Sequence, residues 1–354
     1  MSLYLNPRVA ALTPYVPGEQ PRDRAYCKLN TNESPFPPSP LAQRLARQEA
    51  GDLRLYSDPA ARDLRATAAS VLGVGEDRIL FTNGSDEILY FAFVAFCGPD
   101  RPAIFPDVTY GFYPVFADLC GVPTRTVSLK EDFTLDPADY DGLKGTLFLA
   151  NPNAPTGLAL SRAQVEALIA ADPDRMVVVD EAYVDFGGES VLDLIARYDT
   201  LLVTRTVSKS RSLAGARLGF GAACAARIAE LERVRCSTNP YNVNRMTLAA
   251  GIGALLDTDY FERCRAAVIA TREKTAERLR AMGFVMPTSS TNFLFIRHPK
   301  VGGADLAAAL REQGVLVRHF DAPRLTEYNR VTVGSEEEMD RFFAALTAIL
   351  EVRL

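Results

Sequence analysis

The stretch TRTVSKSRSLAGARLGFG, residues 204–221, continues a short apolar run into a segment rich in hydroxyl side chains and glycine. It places Lys209 just beyond a predicted strand and Arg217 eight residues further on, among three glycines. Glycine lets a backbone approach a ligand closely. The glycine spacing is not a dinucleotide-binding fingerprint, because it leads into an apolar run instead of opening a helix. Taken alone, Lys209 could be a solvated surface residue, so its role has to be inferred together with the motifs elsewhere in the sequence.

Upstream of this stretch, from about residue 60, short apolar runs alternate with amphipathic segments. This alternation is typical of an α/β fold with a mostly parallel sheet covered by helices on both faces. We expect such a sheet to bind its ligand at the strand ends. The predicted strands are RILFT (78–82), PAIF (102–105), GTLFLA (145–150), RMVVVD (175–180) and TLLVTRT (200–206). The predicted helices are DLRATAASVLGV (63–74), SDEILYFAFVAF (85–96) and SRAQVEALIAA (161–171).

The pattern changes beyond about residue 240, where longer helical segments predominate. A helix is predicted over 257–283 and another from Ser335, with short strands between them, which indicates a smaller α+β domain. Those predicted strands are FVMP (284–287), NFLFIR (292–297) and VLVRHF (315–320).

The N-terminal segment contains LNTNESPFPPSP (29–40), whose prolines and asparagines prevent regular structure throughout and indicate an ordered arm. We predict three parts of the chain. Residues 1–49 form the arm and part of the small domain, 50–240 the large cofactor-binding domain, and 241–354 the C-terminal small domain.

The composition excludes several classes of partner. With a net charge of −5 at pH 7 and no long basic run, the chain lacks the footprint of a nucleic-acid-binding protein. Its longest apolar run, residues 88–96, is about half as long as a membrane-spanning helix. No signal peptide is recognisable, so we expect a cytoplasmic protein that acts on small molecules. Two histidines and six scattered cysteines predict reduced thiols, no metal site and no Ser-His-Asp triad.

Polar residues follow the predicted strands. Gly84, Ser85 and Asp86 open a helix, where free backbone N–H groups and a hydroxyl suit a phosphate, although a plain helix cap is the alternative. Asp180 ends an apolar strand, where a carboxylate is costly unless it is paired or given a cation. A capping or salt-bridged aspartate is the alternative there.

A single kind of site would explain these features together. A phosphate cradle, a strand-end carboxylate, a lysine and an arginine are the parts that a pyridoxal 5'-phosphate site requires. The lysine bonds covalently to the cofactor, the carboxylate keeps the pyridine nitrogen protonated, and the arginine with hydroxyls and N–H groups neutralises the phosphate. The sequence therefore predicts a pyridoxal phosphate enzyme.

The order of these motifs resembles a known family. N-P-N-x-P-T-G (151–157), D-E-A-Y (180–183) and S-K (208–209), with an arginine eight residues later, are similar to the fold-type I, aspartate-aminotransferase-like enzymes. The resemblance implies a large domain with a mostly parallel seven-stranded sheet between helices, and a smaller α+β domain. Further segments resemble the histidinol-phosphate aminotransferase branch: PYVPG (14–18), KLNTNESPF (28–36), RLYSDP (54–59), NGSDE (83–87), VRHF (317–320) and RVTVG (330–334).

The resemblance also implies roles for cofactor-binding residues. Lys209 would hold the cofactor and move a proton of the substrate, and Asp180 would pair with the ring nitrogen. Tyr183 would donate to the ring oxygen. Tyr110 would stack on the ring, with a core tyrosine as the alternative. The phosphate would be held by Ser208, Arg217 and the N–H groups of Gly84, Ser85 and Asp86.

Two positions bear on the subunit arrangement and on a departure from the family pattern. Tyr56 resembles the tyrosine that reaches the cofactor phosphate of the neighbouring subunit, which implies an obligate homodimer with a shared active site.

The family often has an asparagine immediately before P-T-G, hydrogen-bonded to the ring oxygen. Ala154 stands there in this chain, so Asn153 is expected to substitute.

Substrate recognition is expected to depend on Arg330 and Arg318. The resemblance implies that Arg330 takes the carboxylate of the amino acid and that Arg318 helps with a second anion. One cationic pocket can serve both a carboxylate and a phosphate. Tyr15 and Asn32 would close the pocket and exclude water. His319 is expected to be a packing or surface residue.

The expected activity is transfer of the amino group of L-histidinol phosphate to 2-oxoglutarate, which gives imidazole acetol phosphate and glutamate in histidine biosynthesis. A threonine-phosphate decarboxylase and an aromatic aminotransferase are alternatives with the same cofactor residues. A non-catalytic aminotransferase-like ligand-binding module is a further alternative. Residues 1–50 lack a helix-turn-helix pattern, and both Lys209 and Asp180 are present, which favours an enzyme.

Overall fold

The computed structural model describes residues 4–353, in which strands and helices alternate along most of the chain. The strands are β1 (Cys27–Lys28), β2 (Ile79–Thr82), β3 (Ala103–Pro106), β4 (Thr124–Val127), β5 (Thr146–Ala150), β6 (Val177–Asp180), β7 (Leu201–Thr206), β8 (Gly219–Ala223), β9 (Phe293–Ile296), β10 (Val315–Leu316), β11 (Arg318–His319) and β12 (Asn329–Thr332). The α-helices are α1 (Pro7–Ala10), α2 (Pro40–Glu49), α3 (Arg62–Leu72), α4 (Ser85–Phe96), α5 (Phe112–Cys120), α6 (Arg162–Ala170), α7 (Ala225–Thr238), α8 (Arg245–Leu256), α9 (Thr258–Ala281), α10 (Gly303–Glu312) and α11 (Glu336–Arg353).

The largest sheet has seven strands in the order β2-β8-β7-β6-β5-β3-β4. Six of these strands run in one direction and β8 runs in the opposite direction, so the expected mostly parallel sheet is confirmed. The carboxyl ends of β5, β6 and β7 meet at one edge, and β8 begins at that edge with Gly219 opposite Thr206. The residues that follow these strands are thereby brought together.

Helices cover both faces of this sheet, as the apolar runs predicted. Side chains alternate along a strand, so neighbouring residues of β6 enter different cores. Val178 packs with residues of α4, α5 and α7, whereas Val177 and Val179 pack with residues of α6. Burial on both faces explains why β6 is a continuous run of valine.

Two smaller sheets form the α+β part. One is antiparallel in the order β11-β12-β9, and the other pairs β1 with β10 in parallel. Helices α10 and α11 pack against them in a separate apolar cluster. The predicted strand 284–287 is wrong, since Val285 makes only an isolated bridge to Arg297. The predicted strand 315–320 is divided between β10 and β11, which belong to different sheets.

The smaller sheets contact the large one near the strand ends. The Phe133 ring, which follows β4, packs edge-on against Phe295 and Tyr328 at centroid distances of 5.8 and 5.4 Å. The Arg324 guanidinium lies 2.8 Å from a carboxylate oxygen of Asp107, just after β3. These contacts close one side of the region where the strand ends meet. The domain boundaries after residues 49 and 240 stay a prediction.

Candidate active site

A cavity of about 230 Å³ lies at the edge where β5, β6 and β7 end. The structure brings to it residues from the arm, from the large sheet and from the small antiparallel sheet. The predicted site residues that line the cavity are Tyr15, Asn32, Ser85, Asp86, Tyr110, Asp180, Tyr183, Ser208, Lys209, Arg217, Arg318 and Arg330.

Lys209 lies three residues beyond the end of β7 and points into this cavity. Its ammonium donates a hydrogen bond of 3.3 Å to the carbonyl oxygen of Thr31 and lies 5.9 Å from the centroid of the Tyr183 ring. The partner on the arm is a backbone carbonyl, which side-chain patterns in a sequence do not reveal. The only nucleophilic amine among the predicted site residues is thus restrained by the arm.

Asp180, at the end of β6, is buried with its carboxylate at the cavity wall. The Thr204 hydroxyl and the Ala182 N–H donate to the same carboxylate oxygen, Oδ1, at 3.0 and 3.2 Å. Burial raises the pKa of Asp180 to about 7, and the Asp86 and Glu181 carboxylates add to the rise, whereas the Thr204 hydroxyl opposes it. A cation placed in the cavity would stabilise the ionised carboxylate.

The N-terminus of α4 lies at the same cavity as Asp180. Gly84 precedes this 12-residue helix at φ 79° and supplies no side-chain cap to its first N–H groups. A Cβ on Gly84 would lie 2.5 Å from Nη2 of Arg217, and a Cβ on Gly219 would overlap the nitrogen of Ser85. Glycine at both positions therefore keeps the helix N-terminus and the arginine accessible. Helix N-termini of this kind bind phosphate.

Hydroxyl groups and a tyrosine complete this region. The Thr206 hydroxyl donates to that of Ser208 at 2.8 Å, and Arg217 pairs with Asp86 at 3.1 Å. The Tyr110 hydroxyl donates to the other oxygen of Asp86 at 2.7 Å. Burial, followed by the Asp86 charge, raises the pKa of Tyr110 well above its ordinary value, so this phenol stays neutral. Thr206 lines the cavity although sequence reasoning had not singled it out.

Tyr183 is held from the arm side. The Asn32 amide donates to its hydroxyl oxygen at 2.8 Å. Asn32 has a left-handed backbone, at φ 56°, and its backbone N–H donates to Thr332 of β12. The arm therefore connects the small sheet to a residue at the end of β6.

Arg330 and Arg318 face each other across β12 and β11. Arg330 donates to the carbonyl of Asn30 at 3.3 Å, and no partner is found for its buried Nε among residues 4–353. Burial lowers the pKa of Arg330. Arg318 donates to the carbonyls of Val16 and Pro17 at 2.8 and 3.2 Å. Two guanidinium groups with backbone partners in place of carboxylates suit the binding of anionic substrates.

Asn153 does not line the cavity, so the structure does not support its expected role at the ring oxygen. Its amide donates to the carbonyl of Val108 and the hydroxyl of Thr156, and its oxygen accepts from Thr109, all at 3.0 Å. Ala154 lines the cavity in its place. Both amide hydrogens and the side-chain oxygen of Asn153 are thus engaged by these loops.

Tyr56 also lies outside the cavity of its own chain. Its side chain is 78% exposed and stacks on Tyr241 with a centroid distance of 4.4 Å. An exposed ring pair is compatible with a contact to a second subunit, and that role stays a prediction. Tyr15 stacks on Phe112 at 4.3 Å at the mouth of the cavity.

The arrangement fits pyridoxal phosphate. An anion cradle that a Cβ would fill, a buried carboxylate in need of a cation, and a lysine lie around one cavity.

Across residues 4–353 no group of three or more metal-binding side chains is found, and no helix is long and apolar enough to cross a membrane.

The seven-stranded sheet and this site define a fold-type I transferase. The family model for aminotransferase class I and II matches residues 24–346, and the chain belongs to this family. It is 49% identical over 353 residues to histidinol-phosphate aminotransferase 1 of Bordetella parapertussis, covering 99% of each chain. It is 47% identical over 350 residues to histidinol-phosphate aminotransferase of Chromohalobacter salexigens, again covering 99% of each.

A solved structure confirms the fold. The crystal structure of histidinol-phosphate aminotransferase from Sinorhizobium meliloti in complex with pyridoxal-5'-phosphate superimposes with a TM-score of 0.90. The match covers 99% of both chains at 24% sequence identity.

Proposed function

We propose that this protein is a pyridoxal-phosphate-dependent aminotransferase that exchanges the amino group of L-histidinol phosphate with 2-oxoglutarate in histidine biosynthesis. The pair Arg330 and Arg318, which lines the same cavity as Lys209 and Asp180, carries the proposal. The full-length relatives, named histidinol-phosphate aminotransferase, support the substrate. The six free cysteines are typical of a reducing compartment, and we assign the activity to the cytoplasm.

Pyridoxal phosphate supplies an electron sink for the charge that develops at the substrate Cα when its proton leaves. Lys209 would attach the cofactor and accept that proton at Nζ, and its hydrogen bond to Thr31 restrains the amine within the cavity. Asp180 would pair with the ring nitrogen, whose positive charge compensates the cost of the buried carboxylate. Tyr183, oriented by Asn32, would donate to the ring oxygen.

The phosphate group would be held at the N-terminus of α4. Ser85, Ser208 and Arg217 line this end of the cavity, and the absence of a Cβ on Gly84 lets the Arg217 guanidinium lie against the start of α4. Arg217 is paired with Asp86, so the phosphate would compete with that carboxylate or share the guanidinium with it.

The two arginines give a physical basis for two different substrates. Arg330 has an unpartnered buried Nε and can present a planar fork to a carboxylate or a phosphate. Arg318 is bonded to arm carbonyls and can exchange those neutral acceptors for an anion. Glutamate and histidinol phosphate would therefore use the same cationic wall in turn.

We also propose a homodimer in which Tyr56 reaches the phosphate site of the second subunit. The exposed stacked pair of Tyr56 and Tyr241 supports this contact. Mixing a Tyr56→Phe variant with a Lys209→Ala variant tests it. A hybrid dimer should contain one intact site, and recovery of activity on mixing would support sharing. Unchanged activity after verified subunit exchange would contradict it.

The proposed reaction is tested by supplying purified protein with pyridoxal phosphate, L-histidinol phosphate and 2-oxoglutarate. We expect glutamate to form in proportion to the histidinol phosphate consumed, and Lys209→Ala to lose turnover while remaining folded. Release of carbon dioxide from threonine phosphate, without need for an oxo acid, would favour the decarboxylase alternative. Faster turnover with aromatic amino acids would favour the aromatic aminotransferase.

A further inference from the structure

Asn153 joins two loops at the edge of the active site. Its amide donates to the carbonyl of Val108, and its side-chain oxygen accepts from the hydroxyl of Thr109, both at 3.0 Å. These partners lie in the segment that follows β3, whereas Asn153 lies in the turn that follows β5. The side chain is thus a bridge between the ends of two neighbouring strands of the large sheet.

Asn153 is itself fixed by its own turn. Its backbone N–H donates to the carbonyl of Leu158 at 2.7 Å, and its carbonyl accepts from the N–H of Gly157 at 2.8 Å. The same amide donates to the Thr156 hydroxyl at 3.0 Å. Because its own turn holds Asn153 in place, the two hydrogen bonds restrain the positions of Val108 and Thr109.

The restrained segment leads directly to Tyr110, which lines the cavity. The hydroxyl of Tyr110 is bonded to Asp86, and the ring lies edge-on to Tyr113 with a centroid distance of 5.7 Å. The ring is therefore fixed at its far end by Asp86 and at its backbone end by the bridge from Asn153. Removing the bridge would leave the backbone end free to shift.

We propose that Asn153 is a positioning residue for the cofactor, acting through Tyr110 without touching the cofactor itself. The bridge fixes the backbone from which the Tyr110 ring reaches the cavity in which the cofactor would bind. This inference rests on the proposed function, since it presumes that pyridoxal phosphate binds in the cavity.

The test is a double-mutant cycle on cofactor affinity. The dissociation constant of pyridoxal phosphate is measured by titrating the cofactor-free protein, for wild type, Asn153→Ala, Tyr110→Ala and the double variant. Asn153→Ala should raise the dissociation constant roughly tenfold. In the Tyr110→Ala background the same substitution should change it less than about twofold, because the ring that it positions is gone.

Two further variants separate positioning from a general loss of structure. Thr109→Val removes one bond of the bridge without altering the turn and should reproduce part of the loss of affinity. Asn244→Ala is the matched control, since that side chain also bonds a threonine at 3.0 Å, but at the start of α8 away from the cavity. It should lower the thermal midpoint and leave the cofactor dissociation constant unchanged.

The outcomes distinguish the inference from the proposed function. If the wild-type protein does not bind pyridoxal phosphate, the proposed function fails. If wild type binds and Asn153→Ala binds equally well, the inference alone is overturned. An equal loss with and without Tyr110 would also overturn it. If Asn153→Ala does not fold, Thr109→Val decides alone, and an unchanged dissociation constant in that variant overturns the inference.

Discussion

Replacing Asp180 by asparagine should stabilise the protein in the absence of cofactor while impairing its function. Asparagine keeps the shape of the side chain, and its Oδ1 can accept both hydrogen bonds that Thr204 and Ala182 donate to the aspartate. The substitution therefore removes the buried charge and replaces Oδ2 by an amide NH2 group of similar size.

The magnitude follows from the raised pKa of Asp180, about 7 in the folded protein against an ordinary 3.8. The folded state binds this proton more tightly than the unfolded chain does, so the free energy of unfolding falls as pH rises between these values. At about 1.4 kcal/mol for each tenfold change in proton affinity, the ionised carboxylate costs about 4 kcal/mol above pH 7. The advantage of Asp180→Asn should therefore grow from about 2 kcal/mol at pH 5 to about 4 kcal/mol at pH 8.

The assay is thermal or urea unfolding of the cofactor-free wild type and variant at several pH values. A gain of about 4 kcal/mol corresponds to a rise of about 5 °C in the midpoint for a chain of this length. Adding pyridoxal phosphate should reverse the order of stability, because the protonated ring stabilises only the aspartate. An advantage that does not depend on pH between 5 and 8, or a variant less stable than wild type at pH 8, would refute this reasoning.

Three further substitutions address the substrate pocket, the phosphate end of the site and a contact between the small sheets and the large one. Arg330→Lys should raise the KM for L-histidinol phosphate at least tenfold with little change in cofactor affinity, since lysine lacks the planar guanidinium that binds an anion through two N–H groups. Equal KM values for variant and wild type would contradict this role of Arg330. Gly84→Ala should weaken cofactor binding more than tenfold in a titration, because the new Cβ would lie 2.5 Å from Arg217 and the backbone φ of 79° is strained for alanine. Unchanged affinity would contradict a phosphate site at the start of α4. Arg324→Ala should lower the free energy of unfolding by about 1 kcal/mol in a urea titration, because the partly exposed ion pair with Asp107 is lost. An unchanged free energy of unfolding would show that this ion pair does not stabilise the fold.

The large sheet could be predicted because burial on both faces leaves a clear pattern. β6 and β7 are apolar runs that end in polar residues. The pattern therefore predicts Asp180, the last residue of β6, and Lys209, three residues beyond β7, as candidate site residues. β4 (TRTV) was missed because it lies at the sheet edge with exposed, polar side chains. β8 is not among the predicted strands, because glycine is a weak strand signal, although every residue of β8 is buried.

The departures at the site have a common physical cause. The carbonyls of Thr31 and Val16, which bind Lys209 and Arg318, belong to the backbone and have no residue-specific signature. Asn153 was expected at the cavity from its place in a motif, but its direction depends on the turn between residues 151 and 158. Turn conformation and side-chain direction emerge only from the folded chain.

The most direct test of the account is the visible absorption of the cofactor-loaded protein before and after addition of L-histidinol phosphate, with no oxo acid present. We expect the band of the bound cofactor to convert to that of its amine form, and 2-oxoglutarate to restore it. A bound cofactor whose spectrum converts with glutamate but not with L-histidinol phosphate would contradict the proposed substrate. A protein that binds no cofactor would contradict the assignment of the site.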